Sequence, residues 1–180
     1  MDPVTTSPPE ASSCGQDRLA VAKIVAGLVE RLANRSETVA VAESLTGGLL
    51  AATIVDVPGA SAVFRGGLIV YATDLKATLA GVPRELLDAR GPVDPDVAAA
   101  LAAGARDRCG ATWGLATTGV AGPTPQDGIA VGTVFVAVSG PSNGVRALRL
   151  DGDRPAIRRA TVRAAVVLMS TTLDELDRQM

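Results

Sequence analysis

The stretch whose reading decides the fold is Thr38–Val55, TVAVAESLTGGLLAATIV. Thr38 to Ala42 is a short apolar, β-branched run and reads as a buried strand. Leu49 to Val55 is apolar and continues as a helix, so ESLTGG occupies a strand-to-helix turn. Ser44 lies in that turn. Thr46 can cap the helix, and Gly47 and Gly48 leave its first amides bare, an arrangement that attracts anions. A capped helix whose glycines serve tight packing explains the same fragment. No GxxxxGK[S/T] run occurs in the chain, so this is not a Walker-type phosphate loop.

Upstream, Val21, Ile24, Val25, Leu28, Val29 and Leu32 recur at helical spacing with Lys23, Glu30 and Arg31 opposite, which predicts an amphipathic helix ending near Asn34. Residues 1–16 have neither the basic nor the apolar segment of a secretory signal and read as a disordered tail, leaving one domain over 17–180. Downstream, Gly67–Tyr71 (GLIVY) reads as a second strand and Asp74–Ala80 as a short helix. Pro83 stands at the first position of another helix. DPDVAAALAAGARDR places Asp94 as the N-cap of the next, with Pro95 behind it. Trp113–Thr118 and Val131–Val138 are further strands, and Val145–Leu150 pairs with the latter as a hairpin across Gly140, Pro141, Asn143 and Gly144. A last helix runs from about Pro155 to Leu176. Strands alternating with helices predict a single three-layer α/β/α domain with a mixed, mostly parallel sheet. In such sheets ligands collect beyond the carboxyl ends of the strands, where ESLTGG and TTGVAGP both emerge.

Composition narrows the function classes. Hydrophobic residues make up 47% of the 180 but aromatics only 2%, so Ala, Val, Leu and Ile must fill the interior. A net charge of −2 offers no global field for nucleic acid. The longest apolar runs fall well short of the roughly 20 residues of a membrane span. Two cysteines, Cys14 and Cys109, in a chain of this size point to free thiols in a reducing, cytoplasmic compartment. Histidine is absent altogether, which removes every Ser-His-Asp or Cys-His device and every histidine metal site.

A serine nucleophile here needs another base. Lys76 is one of only two lysines, and with Tyr71, the single tyrosine, it flanks one strand-to-helix junction. A desolvated lysine can activate a hydroxyl, with the phenol relaying or orienting the proton. A solvated helix lysine beside a packed edge ring is the plainer reading of these two residues taken alone. TTGVAGP offers backbone donors to an oxyanion or phosphate, or forms a plain turn. GDRPAIRR sets Arg154 and Arg158 on one face of the last helix, either as phosphate forks or as a solvated charged face.

Together AESLTGG, PGASAVFRGGLIVY, Lys76, LAGVP, GPVDPDVA, TTGVAGP, VGTVFVAV and GDRPAIRR, in this order over Val39–Arg163, resemble the CinA C-terminal domain family, whose members include the nicotinamide-nucleotide amidases. The resemblance implies an α/β/α amidohydrolase that deamidates nicotinamide mononucleotide to nicotinic acid mononucleotide and ammonia, in pyridine nucleotide salvage. Carried over by position, Ser44 is the nucleophile and Lys76 and Tyr71 handle the proton. Glu43, Thr46, Gly47 and Gly48 shape the pocket around Ser44; Thr118, Gly119 and Gly122 line the opposite wall; Arg154 or Arg158 takes the phosphate. No cofactor or metal is implied. The expected partner is the small pyridine nucleotide, with no nucleic acid or membrane, and the chain is expected to be a homo-oligomer. The alternative is a catalytically inactive nucleotide-binding or regulatory module of the same fold.

The chain departs from the family pattern at four places. Leu45 follows the nucleophile where Cys or Ser is common, and Thr73 replaces an Asn. Asp94 replaces Ser or Thr but still caps. The loop after GVAGP reads TPQDGIA, without the Lys-Pro often found before VGTV, which removes one phosphate partner. Many members carry a larger N-terminal domain; the stand-alone form is the one associated with the amidase.

Overall fold

The structure, a computed structural model, describes residues 11–179. Residues 1–10 of the expected tail lie outside the described residues, as does the side chain of Cys14; Cys109 is a free thiol. The first helix, α1 (Ala11–Asn34), takes up residues 11–16, which the sequence reading assigned to the tail. Its apolar stripe of Val25, Leu28, Val29 and Leu32 is buried as the periodicity requires.

Strand β1 (Val39–Glu43) leads through the ESLTGG turn into α2 (Leu49–Val55). A single 3-10 turn (Ala60–Ala62) precedes β2 (Phe64–Ile69). Three helices follow, α3 (Thr73–Thr78), α4 (Arg84–Arg90) and α5 (Pro95–Cys109), then β3 (Trp113–Gly119). The hairpin β4 (Thr133–Ser139) and β5 (Gly144–Arg149) leads into α6 (Arg154–Asp177). The sheet order is β2-β1-β3-β4-β5, with β2, β1 and β3 parallel and β4 antiparallel to both neighbours. This is the mixed sheet within one α/β/α domain that the pattern predicted.

Strand β2 starts three residues before the expected Gly67 and stops before Tyr71. Its two glycines argue against a strand locally, but pairing with β1 from Phe64 onward overrides that weak preference. Pro83 is the N-cap of α4 rather than its first residue. Asp94 caps α5 as expected, its side chain accepting from the Asp96 amide at 2.8 Å.

The two faces of the sheet differ in size. Val39, Val41, Leu115, Val134, Val136 and Val138 point to one side, where α1, α2 and α6 supply Leu32, Leu50, Ile157 and Met169. Ala40, Ala42, Ala116 and Ala137 point to the other, under α5. Small residues let α5 approach closely. A Cβ on Gly114 would stand 1.8 Å from the Ala102 carbonyl oxygen, and one on Gly104 would stand 1.8 Å from that of Ala80. Neither position admits a side chain unless backbones move apart.

Candidate active site

The loops leaving the carboxyl ends of β1, β2 and β3 meet the start of α6 around a cavity of about 420 Å³. Among its lining residues are Ser44 and Leu45 from the first loop, Tyr71, Thr73 and Lys76 from the second, Thr118 to Gly122 from the third, and Arg154 from α6. The cavity therefore opens where parallel-sheet topology placed it.

Ser44 is fixed by its strand. Its amide donates to the Thr117 carbonyl at 3.0 Å, continuing the β1–β3 ladder one residue past Glu43, and its own carbonyl accepts from Gly47 at 3.1 Å to close the turn. Gly47 and Gly48 adopt φ of +56° and +96°, the left-handed region that lets so short a turn enter α2. The amides at that entry are not bare. Glu43, fully buried, turns its carboxylate back over the turn and accepts from Gly48 and Leu50 at 3.0 Å and from Ala51 at 2.8 Å. An internal carboxylate thus fills the anion site that the sequence reading left open. Thr46, also fully buried, shares a 2.7 Å hydrogen bond between its hydroxyl and that of Thr117 and does not cap α2. The amides of Leu45 and Thr46 are left without a hydrogen-bond partner among the described residues.

Lys76 is not a solvated helix lysine. Only 1% of it is exposed, and its Nζ donates to the carbonyls of Val70 at 2.9 Å and Tyr71 at 3.2 Å. Desolvation lowers its pKa from 10.5 to about 8, against the pull of nearby Asp74. Val70 and Tyr71 follow directly on β2, so the end of that strand holds the amine in place. Ser44 and Lys76 line the same cavity, and no hydrogen bond joins them.

Tyr71 is not a packed edge ring either: it is 58% exposed, and its hydroxyl accepts from Arg154 Nη2 at 2.7 Å. Arg154 Nη1 donates to the Gly122 carbonyl at 2.8 Å, so one guanidinium bridges two walls of the cavity. The two arginines that the helical spacing paired have separate surroundings. Arg158 is not among the lining residues; its Nε donates to the Leu45 carbonyl at 3.0 Å and its Nη2 to that of Thr46 at 2.5 Å. Thr118 and Gly119 line the third wall with Gly122, and the Thr118 hydroxyl donates to the Pro92 carbonyl at 2.6 Å, anchoring the segment before α5. Glu43, Thr46, Gly47 and Gly48 support the turn from behind and do not line the cavity.

Sequence reasoning missed part of the wall: Ala72, Pro92 and Val93, and the Thr124–Gln126 segment. These residues carry no periodicity. Pro92 and Val93 belong to GPVDPDVA, which contributes to the family resemblance but carries no site role in the sequence reading. Lys76 and Arg154 line the cavity, but no Asp or Glu does. Among the described residues no cluster of three His, Cys, Asp or Glu side chains is placed to hold a metal, and no helix is long and apolar enough to cross a membrane.

Residues 21–173 match the model of the CinA C-terminal domain. The chain is 55% identical to a CinA-like protein of Frankia casuarinae over 151 residues, covering 83% of this chain and 34% of that protein. It is 47% identical to a putative competence-damage inducible protein of Desulforamulus reducens over 131 residues, covering 72% of this chain and 32% of the other. The chain thus spans about a third of the length of these curated relatives. Among solved structures, the competence/damage inducible protein CihA of Agrobacterium tumefaciens superposes with a TM-score of 0.81 at 31% identity, covering 84% of this chain and 94% of that one. A CinA superfamily protein of Escherichia coli gives 0.80 at 27%, covering 84% and 90%.

Proposed function

The chain belongs to the CinA C-terminal domain family, and from that premise we propose that it is an amidohydrolase that deamidates nicotinamide mononucleotide. The observation that carries the reading is Lys76: a buried amine, held only by neutral carbonyls, on the same cavity as a serine at a strand-to-helix turn. Burial places its titration near 8, so a useful fraction is uncharged near neutral pH and able to take a proton. Arg154, on a cavity wall without a carboxylate, suits a ligand that carries a phosphate.

In the reaction so proposed, Ser44 Oγ attacks the carboxamide carbon while its proton passes to uncharged Lys76, directly or through Tyr71. The tetrahedral oxyanion lies against the unpartnered amide of Leu45, on the cavity wall. Its collapse breaks the C–N bond, and the nitrogen leaves as ammonia with the proton that Lys76 returns. Water then attacks the acyl-serine ester, Lys76 accepts its proton, and Ser44 leaves with that proton as nicotinic acid mononucleotide departs. Arg154 holds the phosphate away from the reacting bond, so that remote binding orients the amide.

A second reading, binding of the nucleotide without turnover, is favoured by the absence of a Ser44–Lys76 hydrogen bond. Incubating the purified protein with nicotinamide mononucleotide separates the two. Ammonia and the acid product form under the first reading and disappear in Ser44→Ala; under the second the nucleotide binds saturably and no acid appears. Undiminished turnover in Ser44→Ala would reject the serine mechanism.

A further inference from the structure

The residues behind the Ser44 turn offer one assignment beyond its nucleophile and base. The turn is gripped from two sides by charged groups that do not line the cavity. On one side the buried Glu43 carboxylate takes the amides of Gly48, Leu50 and Ala51. On the other, the Arg158 guanidinium, from the second turn of α6, takes the carbonyls of Leu45 and Thr46. Both grips act on backbone, and each matches its charge to the polarity of the groups it holds.

Peptide planarity turns that grip into an orientation. In a trans peptide the N–H points opposite to the C=O of the preceding residue. With the Ser44 carbonyl held on the Gly47 amide, the Leu45 N–H must face away from that contact. The same rule applied to the Thr46 carbonyl, held on Arg158, sends the Gly47 N–H the other way, and it is found on the Ser44 carbonyl. The Leu45 amide so placed belongs to a residue of the cavity wall and has no partner among the described residues; the other unpartnered amide, that of Thr46, belongs to a fully buried residue off the wall. A preorganised donor of this kind stabilises a developing oxyanion because no reorganisation is needed when the charge appears.

We infer that Arg158, backed by Glu43, is a positioning residue that aims the Leu45 amide at the oxyanion formed on Ser44 attack, and that Arg154 alone of the two arginines is left for the substrate phosphate. The inference rests on the amidohydrolase reading for its substrate, but it makes a separate statement about Ser44 reactivity. Two measurements on the full chain are therefore paired: ammonia release from nicotinamide mononucleotide, and the rate at which a fluorophosphonate probe adds to Ser44, read by mass. Phosphonylation also builds negative charge on an oxygen beside Ser44.

Arg158→Ala lowers kcat by about 10²-fold with KM little changed, and slows probe addition in parallel. Arg158→Lys, which keeps one cationic donor group, falls between Ala and wild type. Added guanidinium partly restores Arg158→Ala, a rescue that a merely destabilised fold would not show. Glu43→Gln shows the same split of kcat from KM; if that variant does not fold, the Arg158 series decides alone. A rise in KM at unchanged kcat, or probe addition at the wild-type rate in Arg158→Ala, overturns the assignment and returns Arg158 to substrate binding. A wild type that reacts with the probe but releases no ammonia instead sinks the choice of substrate, while the probe rates still judge Arg158. If the wild type does neither, both readings fall.

Discussion

The two ends of the sheet treat charge in opposite ways. At the amino end, Arg31 from α1 bonds to Asp174 and Asp177 of α6 at 2.7 Å each, and Arg35 reaches Asp177 at 2.5 Å and lies 3.1 Å from Glu37. The other oxygen of Glu37 accepts from the Trp113 indole at 2.7 Å. Both of these arginines have a carboxylate, and much of the cluster is open to water. At the carboxyl end, the buried Lys76 hydrogen-bonds only to carbonyls, with Asp74 nearby but not bonded to it, and Arg154 bonds to a phenol and a carbonyl. Paired charges in water tie two helices together at little gain or loss of stability. An amine buried without a bonded carboxylate costs the fold free energy, and perturbed groups of this kind cluster at functional sites.

The sharpest way to break this contrast is to remove the charge at each end and compare. Lys76→Met lowers kcat for ammonia release by about 10³-fold or more, the scale of losing a group that acts as one unit with the nucleophile. Its effect on stability has a definite pH signature. Wild-type Lys76 binds its proton more weakly in the folded state, near 8, than in the unfolded state, near 10.5. The cost of burying the charged form is therefore complete below pH 8 and disappears as pH rises through 8 to 10.5. Over that window wild type gains stability on Lys76→Met by up to about 3 kcal/mol, measured by denaturant unfolding at both pH values.

Arg154→Ala comes next in size. It removes a charge-assisted donor from the cavity and raises KM by about 10- to 100-fold, with a smaller change in kcat. A kcat effect larger than the KM effect would mean that Arg154 acts chiefly through Tyr71. Arg31→Ala, at the other end, marks the smallest effect: a loss of at most about 1 kcal/mol in thermal or denaturant unfolding and unchanged kinetics. If that variant altered turnover, the two ends would not be independent.

How much of this was legible in the sequence follows from which physics is local. Strand β1, the position of its turn, the α5 cap at Asp94 and the hairpin are specified by periodicity and turn chemistry within a few residues, and the structure has them within two residues of where the sequence put them, although Thr46 does not cap α2. The roles of Glu43, Arg158 and Arg154 depend on which way a side chain turns once the sheet has formed. Glu43 follows an alternation that would point it to one face like Val41, yet its length lets the carboxylate fold over the turn onto α2. Glu directly before the turn, five residues before Gly48, was the only available hint. Arg154 and Arg158 share a helical face in sequence, but α6 packs so that its first turn meets the cavity and its second meets the backbone of the Ser44 turn. The burial of Lys76 was equally hidden, because it depends on where the end of β2 comes to lie relative to α3.

The reactivity of Ser44 as a function of pH bears most directly on the claim that an uncharged lysine activates it. With Lys76 as the base, the rate of fluorophosphonate addition to Ser44 rises about tenfold per pH unit from pH 6 and levels off near pH 8, where its proton is lost. A rate that is flat across that range, that keeps rising to the ordinary lysine value near 10.5, or that keeps the same profile in Lys76→Met would contradict it.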